Sequence, residues 1–542
     1  MSAAESPSDQ ARLVAALADP ARFGERCTQV THLETHISHV FLTGEFAYKI
    51  KKPLDLGFLD FTTLAKRRFC CEEELRLNRR LAPAVYVDVV AVTGNPDDPV
   101  VDGAGTPLEY AVRMREFAQD ALASRMLASG SLTAAHIDAL AAEVAAFHGR
   151  IGVAPRDSVY GAPETVLRVA VQNFDQIRPL LADAADRATL ATLHDWTLAE
   201  HAARRDALRQ RHDNGFVREC HGDLHLGNIA VLDGEPTVFD CIEFNAELRW
   251  IDVMSEVAFT VMDLEDRGRP DYAFRFLNAY LEHTGDYSGL AVLRFYRAYR
   301  AMVRAKVACL RGSQLPPGEA KGALAAEYRC YVNLAHGYAQ PQRPAFVVAH
   351  GLSGCGKTTL TQSLLELCGG IRIRTDVERK RLHGMAASAR SGSALDAGLY
   401  TSDATERTYR QALALADEIA AAGGVAIVDG TFLKRWQRDL FRERAASLGI
   451  PFLVIDFAAA DATLRARIAE RAVRGADASE ADLAVLDSQI RTREALGADE
   501  LPGTVHYDAD APLDRARDPA AWREVLDRLS VREPARNAKG DK

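Results

Sequence analysis

The chain has 542 residues, which is more than one hydrophobic core usually holds together, so we expect at least two domains. Its 75 Asp and Glu residues outnumber its 66 Lys and Arg residues, and the net charge of −9 argues against nucleic acid as a general partner. No apolar run reaches the roughly 20 residues of a membrane span, no signal peptide is visible, and the nine scattered cysteines are typical of reduced thiols, so we expect a cytoplasmic protein without a membrane partner.

The first part of the chain combines short predicted strands with many predicted helices. Apolar alternation predicts strands at 40–42, 46–50, 85–92 and 110–114, and helical spacing predicts a charged helix at 64–81. Further helices are predicted at 134–147, 164–181, 186–212 and across much of 250–336, with a polar interruption at 220–245. A turn-rich stretch at 311–321 predicts a surface loop inside this helical part.

Two prolines in the segment 339–344 mark the boundary that we predict between two domains. After this boundary the pattern changes to strand, glycine loop and helix, with strands predicted at 345–350, 425–428 and 452–457 and a helix at 358–367. Such alternation predicts a parallel α/β sheet. We therefore expect a first domain at 1–340, a second domain at 345–530 and a disordered polar tail at 531–542.

The polar interruption contains the motif His-x-Asp-x4-Asn, which begins at His221. In this spacing Asp223 can accept the proton of an incoming hydroxyl group, and Asn228 can bind Mg²⁺. A predicted hairpin at 229–239 then returns Asp240 to Asn228, where it can hold the metal as well. A polar turn beside a helix is the alternative, and the acidic residue at the end of the hairpin argues against it.

A lysine on the second predicted strand is a candidate ligand for the α- and β-phosphates of a nucleotide. Lys49 stands in the Ala-x-Lys form that is typical of such a strand, although Lys51 and Lys52 are close neighbours. Three consecutive glutamates at 72–74 on the charged helix are possible partners of the lysine, and we favour Glu74. A solvated helix face is the alternative reading for the other two glutamates.

On these motifs, the chain over about 25–338 resembles the aminoglycoside phosphotransferase-like kinase family. The resemblance implies an α+β fold of the protein-kinase-like type that uses ATP with Mg²⁺. The chain departs from the family pattern at 34–39, where no glycine-rich loop precedes the lysine strand. This departure predicts a triphosphate clamp of a different or weaker kind.

A second nucleotide motif, Gly-x4-Gly-Lys-Thr, follows the strand at 345–350 and opens a helix. Its glycines let backbone N–H groups approach phosphate oxygens, and the helix N-terminus adds partial positive charge. In this motif Lys357 can reach the β- and γ-phosphates and Thr358 can ligate Mg²⁺. The predicted nucleotide-binding residues of this loop are Gly351, Ser353, Gly354, Cys355, Gly356, Lys357, Thr358 and Thr359.

Three further groups of charged residues accompany this loop. Asp429 ends a predicted strand, where it can hold the metal or form part of a simple turn. Asp376 is a candidate general base with Arg379 nearly one helical turn further on, although capping of a helix is an equal alternative for Asp376. An arginine-rich helix at 464–471 can close over the phosphates as a lid or form a solvated face.

Over about 345–500 these residues resemble the P-loop kinase family that includes polynucleotide-kinase-like and zeta-toxin-like enzymes. The resemblance implies an α/β P-loop NTPase domain with a mostly parallel sheet. It assigns activation of the acceptor to Asp376 and Arg379, and the lid to Arg467 and Arg471. The family uses many acceptors, so it implies a kinase more strongly than any one substrate.

The two halves together resemble bacterial proteins that fuse these two kinds of domain, a likeness carried by the runs at 47–53 and 239–245. The resemblance implies an ATP-dependent phosphotransferase in which each module transfers the γ-phosphoryl group to a hydroxyl group of a small molecule. The alternative is a nucleotide-responsive regulatory protein whose first module binds a ligand without catalysis and whose second module binds or hydrolyses ATP. The sequence leaves both acceptors and the oligomeric state open.

Overall fold

The computed structural model describes residues 7–24, 27–57, 59–387, 389, 401–474 and 479–529. Contacts divide the chain into two compact units, Met1–Asp263 with Phe295–His336 and Leu264–Arg294 with Gly337–Lys542. Among the described residues, no helix combines the length and the apolar character needed to cross a bilayer. The tail predicted at 531–542 lies outside the described residues.

The first unit begins with a six-stranded antiparallel sheet. Its strands are β1 (Thr31–Glu34), β2 (Ser38–Leu42), β3 (Phe46–Lys51), β4 (Tyr86–Asn95), β5 (Asp98–Val101) and β6 (Glu109–Arg115), and helices α1 (Pro7–Ala16) and α2 (Leu64–Asn78) belong to the same part of the chain. The order across the sheet is β1-β2-β3-β6-β4-β5. The four strands predicted here are present. Alternation did not predict β1, because all four of its residues are exposed and no apolar face marks it.

The chain from 123 to 339 adds helices and two small two-stranded antiparallel sheets, and all of these except the helix at 270–284 lie wholly or mainly in the first unit. In chain order the elements are α3 (Ala123–Ser129), α4 (Ala134–Arg150), α5 (Pro163–Ile177), α6 (Ala184–Asp213), β7 (Val217–Glu219), β8 (Ile229–Leu232), β9 (Glu235–Val238), α7 (Ala246–Arg249), β10 (Trp250–Asp252), α8 (Val253–Asp266), α9 (Pro270–Thr284), α10 (Leu290–Ser313) and α11 (Glu319–Ala339). Strand β7 pairs with β10, and β8 pairs with β9. The loop predicted at 311–321 is shorter than expected, because α10 continues to Ser313 and α11 already begins at Glu319.

The second unit is built on a five-stranded sheet in which every pair is parallel. Its elements are β11 (Ala345–His350), α12 (Lys357–Cys368), β12 (Ile371–Arg374), α13 (Thr375–Leu382), α14 (Ser402–Ala421), β13 (Val425–Asp429), α15 (Arg435–Leu448), β14 (Phe452–Ala458), α16 (Asp461–Arg474), α17 (Leu483–Thr492), β15 (Thr504–Asp508) and α18 (Arg523–Arg528). The strand order is β12-β13-β11-β14-β15. The predicted mostly parallel sheet is therefore confirmed.

Helix α9 packs with this second unit, although the sequence places it well before the proline boundary at 339–344. Its Phe274 lies against the apolar core of the parallel sheet. The close approach requires a glycine at 369, because a Cβ atom there would lie 2.9 Å from the Phe274 ring. The P-loop unit thus includes a helix from the middle of the chain.

Two candidate active sites

Lys49 lies at the centre of a buried ion-pair network in the first unit. Its ammonium group is 2.9 Å from a carboxylate oxygen of Glu74 on α2, and it also contacts the carboxylate of Asp240. Burial opposes the charged form of Lys49, but the carboxylates of Asp240, Glu74 and Glu243 together raise its pKa well above the usual value. The side chain is therefore held as a fixed positive charge beside Asp240.

The neighbouring lysines occupy different environments. Lys51 points to the same side of β3 as Lys49, and its ammonium group is 2.7 Å from Glu74 and contacts Glu243. Lys52 pairs instead with Glu34 at 2.6 Å, near the surface. The sequence analysis missed the role of Lys51, although its spacing of two residues from Lys49 on a strand was the available signal.

The two lysines also act on the acidic partner that they share. Burial alone would raise the pKa of Glu74, but Lys49 and Lys51 lower it to about 2. By contrast, the adjacent Glu72 and Glu73 pair with the surface residues Arg68 and Arg76 of the same helix. Of the three consecutive glutamates, the structure thus places Glu74 at the lysine network.

Asp223 is held by side chains of its own loop. The Asn228 amide donates a hydrogen bond of 3.0 Å to Asp223 Oδ2 and a second one to the Asp223 carbonyl. The N–H of Gly227 donates to His225 Nδ1 at 3.0 Å, and His225 Nε2 lies 3.4 Å from Asp223 Oδ2. Burial would raise the pKa of Asp223, but His225 and Arg304 lower it below its usual range. The loop therefore presents an ionised carboxylate.

A buried glutamate on α8 fixes the start of this loop. Glu256 accepts hydrogen bonds from the backbone N–H groups of His221 at 3.1 Å and Gly222 at 2.6 Å, and His148 of α4 contacts the same carboxylate at 3.1 Å. The His221 ring in turn bonds to the Phe239 carbonyl at 2.8 Å, so it serves the loop as a structural anchor. Nothing in the local motif pointed to Glu256, which lies more than 30 residues further along the chain.

The β8–β9 hairpin brings Asp240 to this loop. The Phe239 N–H donates to the Asn228 carbonyl at 3.0 Å, and the following Asp240 adopts a positive φ of 64°. Its backbone N–H donates to the Tyr86 hydroxyl at 3.1 Å. The amide oxygen of Asn228 and the carboxylates of Asp223 and Asp240 are hard oxygen donors, which suit a divalent cation such as Mg²⁺.

The turn between β1 and β2 stands where a glycine-rich loop was absent from the sequence. Thr35 Oγ1 accepts hydrogen bonds from the N–H groups of Ile37 at 3.3 Å and Ser38 at 2.9 Å, so a side chain rather than glycine shapes the turn. His36 at this turn is exposed to solvent, and it lies close enough to Asp223 and Asp240 for their negative charges to act on it. His36 is thus a neighbour of this site, and the sequence analysis assigned it no role.

In the second unit, the glycine loop connects β11 to α12 in a conformation that only glycine adopts without strain. Gly351 and Gly354 have positive φ angles of 150° and 89°. A Cβ atom at either position would lie 2.7 Å from a backbone carbonyl, that of Phe457 or that of Leu464. Lys357 curls over this loop and donates to two of its carbonyls at 2.9 Å each.

The predicted metal ligands of the second unit are direct neighbours. Thr358 Oγ1 donates to Asp429 Oδ2 at 2.7 Å, and Asp429 is buried at the end of β13. Thr375 Oγ1 donates to the Asp429 carbonyl at 3.1 Å, which ties the start of α13 to the same point. A hydroxyl group and a carboxylate next to the glycine loop fit a divalent cation that bridges phosphates.

One cavity of about 850 Å³ joins the glycine loop to the other charged groups that the sequence indicated. Among its lining residues are Ser353, Gly354, Cys355, Gly356, Lys357, Thr358, Thr359, Asp376, Arg379, Asp429, Arg467 and Arg471. Arg467 donates to the carbonyls of Cys355 at 3.3 Å and Ala509 at 3.0 Å, while Arg379 donates to Thr405 Oγ1 at 3.3 Å. Gly351 is the one predicted loop residue that does not line this cavity.

Gln489 of α17 also belongs to this site and was not predicted. Its amide oxygen accepts the Ser353 N–H at 2.9 Å, and its amide nitrogen donates to Ser353 Oγ at 3.0 Å. It lies 136 residues from its partner, so no local pattern marked it.

Two family models match the parts of the chain that contain most of the two sites. A model described as a phosphotransferase enzyme family matches residues 70–296, and a model described as an AAA domain matches residues 346–496. With the fold and the two sites, these matches define the protein as an ATP-dependent phosphotransferase, that is, a kinase with two kinase-like modules. The kinase activity predicted from the sequence is thus confirmed.

Two mycobacterial proteins align with most of the chain. Uncharacterized protein Rv2004c of Mycobacterium tuberculosis strain H37Rv and Uncharacterized protein Mb2027c of Mycobacterium bovis are each 32% identical to it over 447 residues, which cover 82% of this chain and 87% of theirs. The chain therefore belongs to the same family as these mycobacterial proteins.

Solved kinase structures overlap with parts of the chain. A sugar kinase from Janibacter is 23% identical and covers 35% of this chain and 96% of its own, with a TM-score of 0.27. A gluconokinase from Sinorhizobium meliloti is 24% identical, covers 35% and 93%, and has a TM-score of 0.25. A choline/ethanolamine kinase family protein from Mesorhizobium loti is 13% identical, covers 62% and 99%, and has a TM-score of 0.35. These overlaps assign no substrate to either module.

Proposed function

We propose that each module transfers the γ-phosphoryl group of ATP to a hydroxyl group of a small molecule, with Mg²⁺ as the divalent cation. The observation that carries this proposal is the cavity of the second module, in which Lys357, Thr358 and Asp429 share one space with Asp376 and Arg379. A site for a metal-bound triphosphate and a carboxylate for an acceptor are the two parts that phosphoryl transfer requires.

In the first module, Lys49 orients the α- and β-phosphates, and its pairing with Glu74 and Asp240 keeps the ammonium group in place. Bound Mg²⁺ neutralises charge on the phosphates, and Asn228 and Asp240 are the residues that would hold it. Asp223, positioned by the Asn228 amide, orients the acceptor hydroxyl group and takes its proton.

In the second module, Lys357 and the backbone N–H groups of the loop bind the phosphates, and Thr358 and Asp429 are the residues that would hold the cation. Asp376 accepts the proton of the second acceptor, and Arg379 orients that molecule. Arg467 and Arg471 of α16 place positive charge near the phosphates. The hydrogen bond from Arg467 to the Cys355 carbonyl keeps the Arg467 guanidinium group at the glycine loop.

Separate aspartate variants of the full chain test the proposal. Asp223→Asn and Asp376→Asn remove one base each and keep the size of the side chain. With ATP, Mg²⁺ and a metabolite extract, ³¹P NMR of the wild type should show two phosphorylated products, and each variant should lose one of them by about a hundredfold in rate. Asp233→Asn and Asp403→Asn are matched controls, because both side chains are exposed and lie outside the two sites.

The outcome separates the kinase reading from the regulatory alternative of the first module. If Asp223→Asn leaves every product unchanged while Asp376→Asn removes the only one, the first module binds its ligand without transferring phosphate. If neither variant changes any product, the proposed bases are wrong in both modules.

A further inference from the structure

Helix α9 closes the open edge of the parallel sheet with one side chain. The Asn278 amide nitrogen donates to the Gly370 carbonyl at 3.0 Å, and the amide oxygen accepts the Arg372 N–H at 2.7 Å. These are the two bonds that a further strand would make along β12, the outermost strand on that side of the sheet. Asn278 is buried, with 5% of its surface exposed, so its amide replaces a strand rather than water.

The next turn of the same helix contacts the arginine side chains of β12. Glu282 forms an ion pair of 2.8 Å with Arg374 and lies 3.7 Å from Arg372. Its backbone carbonyl accepts a hydrogen bond of 2.6 Å from Arg381 of α13. One residue of α9 therefore contacts both the strand and the helix that carries Asp376.

These contacts lead directly to the second active site. Arg374 lines the cavity and stands two positions before Asp376. Arg372 lies between Glu282 and helix α12, and it donates a hydrogen bond of 2.8 Å to the Thr358 carbonyl of that helix. A displacement of about 1 Å at an acceptor-positioning group can cost two orders of magnitude in rate, so the placement of β12 matters for transfer.

We propose that Asn278 and Glu282 are positioning residues of the P-loop kinase, which hold β12 so that Asp376 and Thr358 face each other across the cavity. The inference rests on the proposed role of Asp376. The P-loop kinase module therefore takes part of its framework from Asn278 and Glu282, which lie within residues 70–296, the range matched by the phosphotransferase family model.

The test uses the full chain with Asp223→Asn present throughout, so that turnover reports the second module. ADP release from ATP and Mg²⁺ is measured with water as the acceptor probe. Glu282→Gln should lower kcat about tenfold and change KM for ATP less than twofold, because the Glu282 carboxylate pairs with arginines of β12 whereas Lys357 bonds to carbonyls of its own loop. Arg275→Gln is the control, since it removes an ion pair of 2.8 Å that joins the same helix to Glu366 of α12.

A double variant distinguishes positioning from general destabilisation. If Glu282 acts through Arg374, Glu282→Gln combined with Arg374→Gln should be no slower than Arg374→Gln alone. Asn278→Ala should also lower kcat, and Asn278→Asp, which keeps the acceptor for the Arg372 N–H, should retain more activity than Asn278→Ala.

Three results would overturn the inference: turnover of Glu282→Gln within twofold of the parent, additive effects in the double variant, or an equal loss in Arg275→Gln. Asp376→Asn in the same background separates this outcome from a failure of the proposed function. If Asp376→Asn abolishes turnover and Glu282→Gln does not change it, only the positioning role is wrong. If Asp376→Asn has no effect, both are wrong.

Discussion

The buried network of the first module makes a quantitative prediction for Glu74→Gln. The carboxylate of Glu74 is fully buried and lies 2.9 Å from Lys49 and 2.7 Å from Lys51. Removing its charge leaves two buried ammonium groups with one carboxylate fewer between them. Breaking a buried ion pair on one side typically costs about 3–5 kcal/mol. We expect a loss near the lower limit, about 3 kcal/mol, because Asp240 and Glu243 remain as partners.

Hydrogen exchange of β3 and α2 measures this loss locally, which avoids assuming a single unfolding transition for a chain of two units. A loss of about 3 kcal/mol corresponds to exchange that is faster by roughly a hundredfold. Glu72→Gln is the matched control on the same helix, because Glu72 pairs with Arg68 at the surface and should change exchange by less than about threefold. Equal effects of the two substitutions would refute the reasoning.

Two further predictions concern pH and the glycine loop. Lys49 and Lys51 hold the pKa of Glu74 below its usual value of 4.5, so Glu74 contributes stability that is present above pH 4.5 and is lost as the pH falls through the lowered pKa. Acid unfolding of Glu74→Gln should lack this component in a pH titration followed by circular dichroism. Gly354→Ala should weaken binding of a fluorescent ADP analogue at least tenfold, because its Cβ would lie 2.7 Å from the Leu464 carbonyl. Gly449→Ala is the control, because Gly449 also has a positive φ but has open space around it, and this variant should bind the analogue normally. Equal binding by both variants would contradict the steric argument.

The motifs that the sequence revealed are those whose chemistry depends on short spacing. Asp223 and Asn228 are five residues apart and bond directly, and Lys357 and Thr358 are adjacent on one loop. In each pair the two residues are close in sequence because a single loop positions both side chains. Asp376, for which the sequence allowed a helix-capping role equally well, lines the same cavity as Lys357 and Thr358.

The residues that escaped the sequence analysis act over long separations. Glu256 reaches the loop of the first module from a later helix, and Gln489 reaches Ser353 across 136 residues. Each sits in an ordinary helical pattern, so its role depends on which elements meet in the fold. Strand β12 was missed for a related reason, because its alternate arginines break the apolar run that marks buried strands.

The amide of Asn278 has a practical consequence for anyone who wishes to study the P-loop kinase by itself. Cutting the gene at the prolines near 340 would produce a polypeptide whose β12 has lost its cover, with the Gly370 carbonyl and the Arg372 N–H turned towards solvent. Open strand edges pair readily with other chains, so such a polypeptide would tend to associate through β12. A polypeptide that contains the P-loop kinase alone therefore has to retain residues 264–294, for example by joining that segment to residue 337 through a flexible linker.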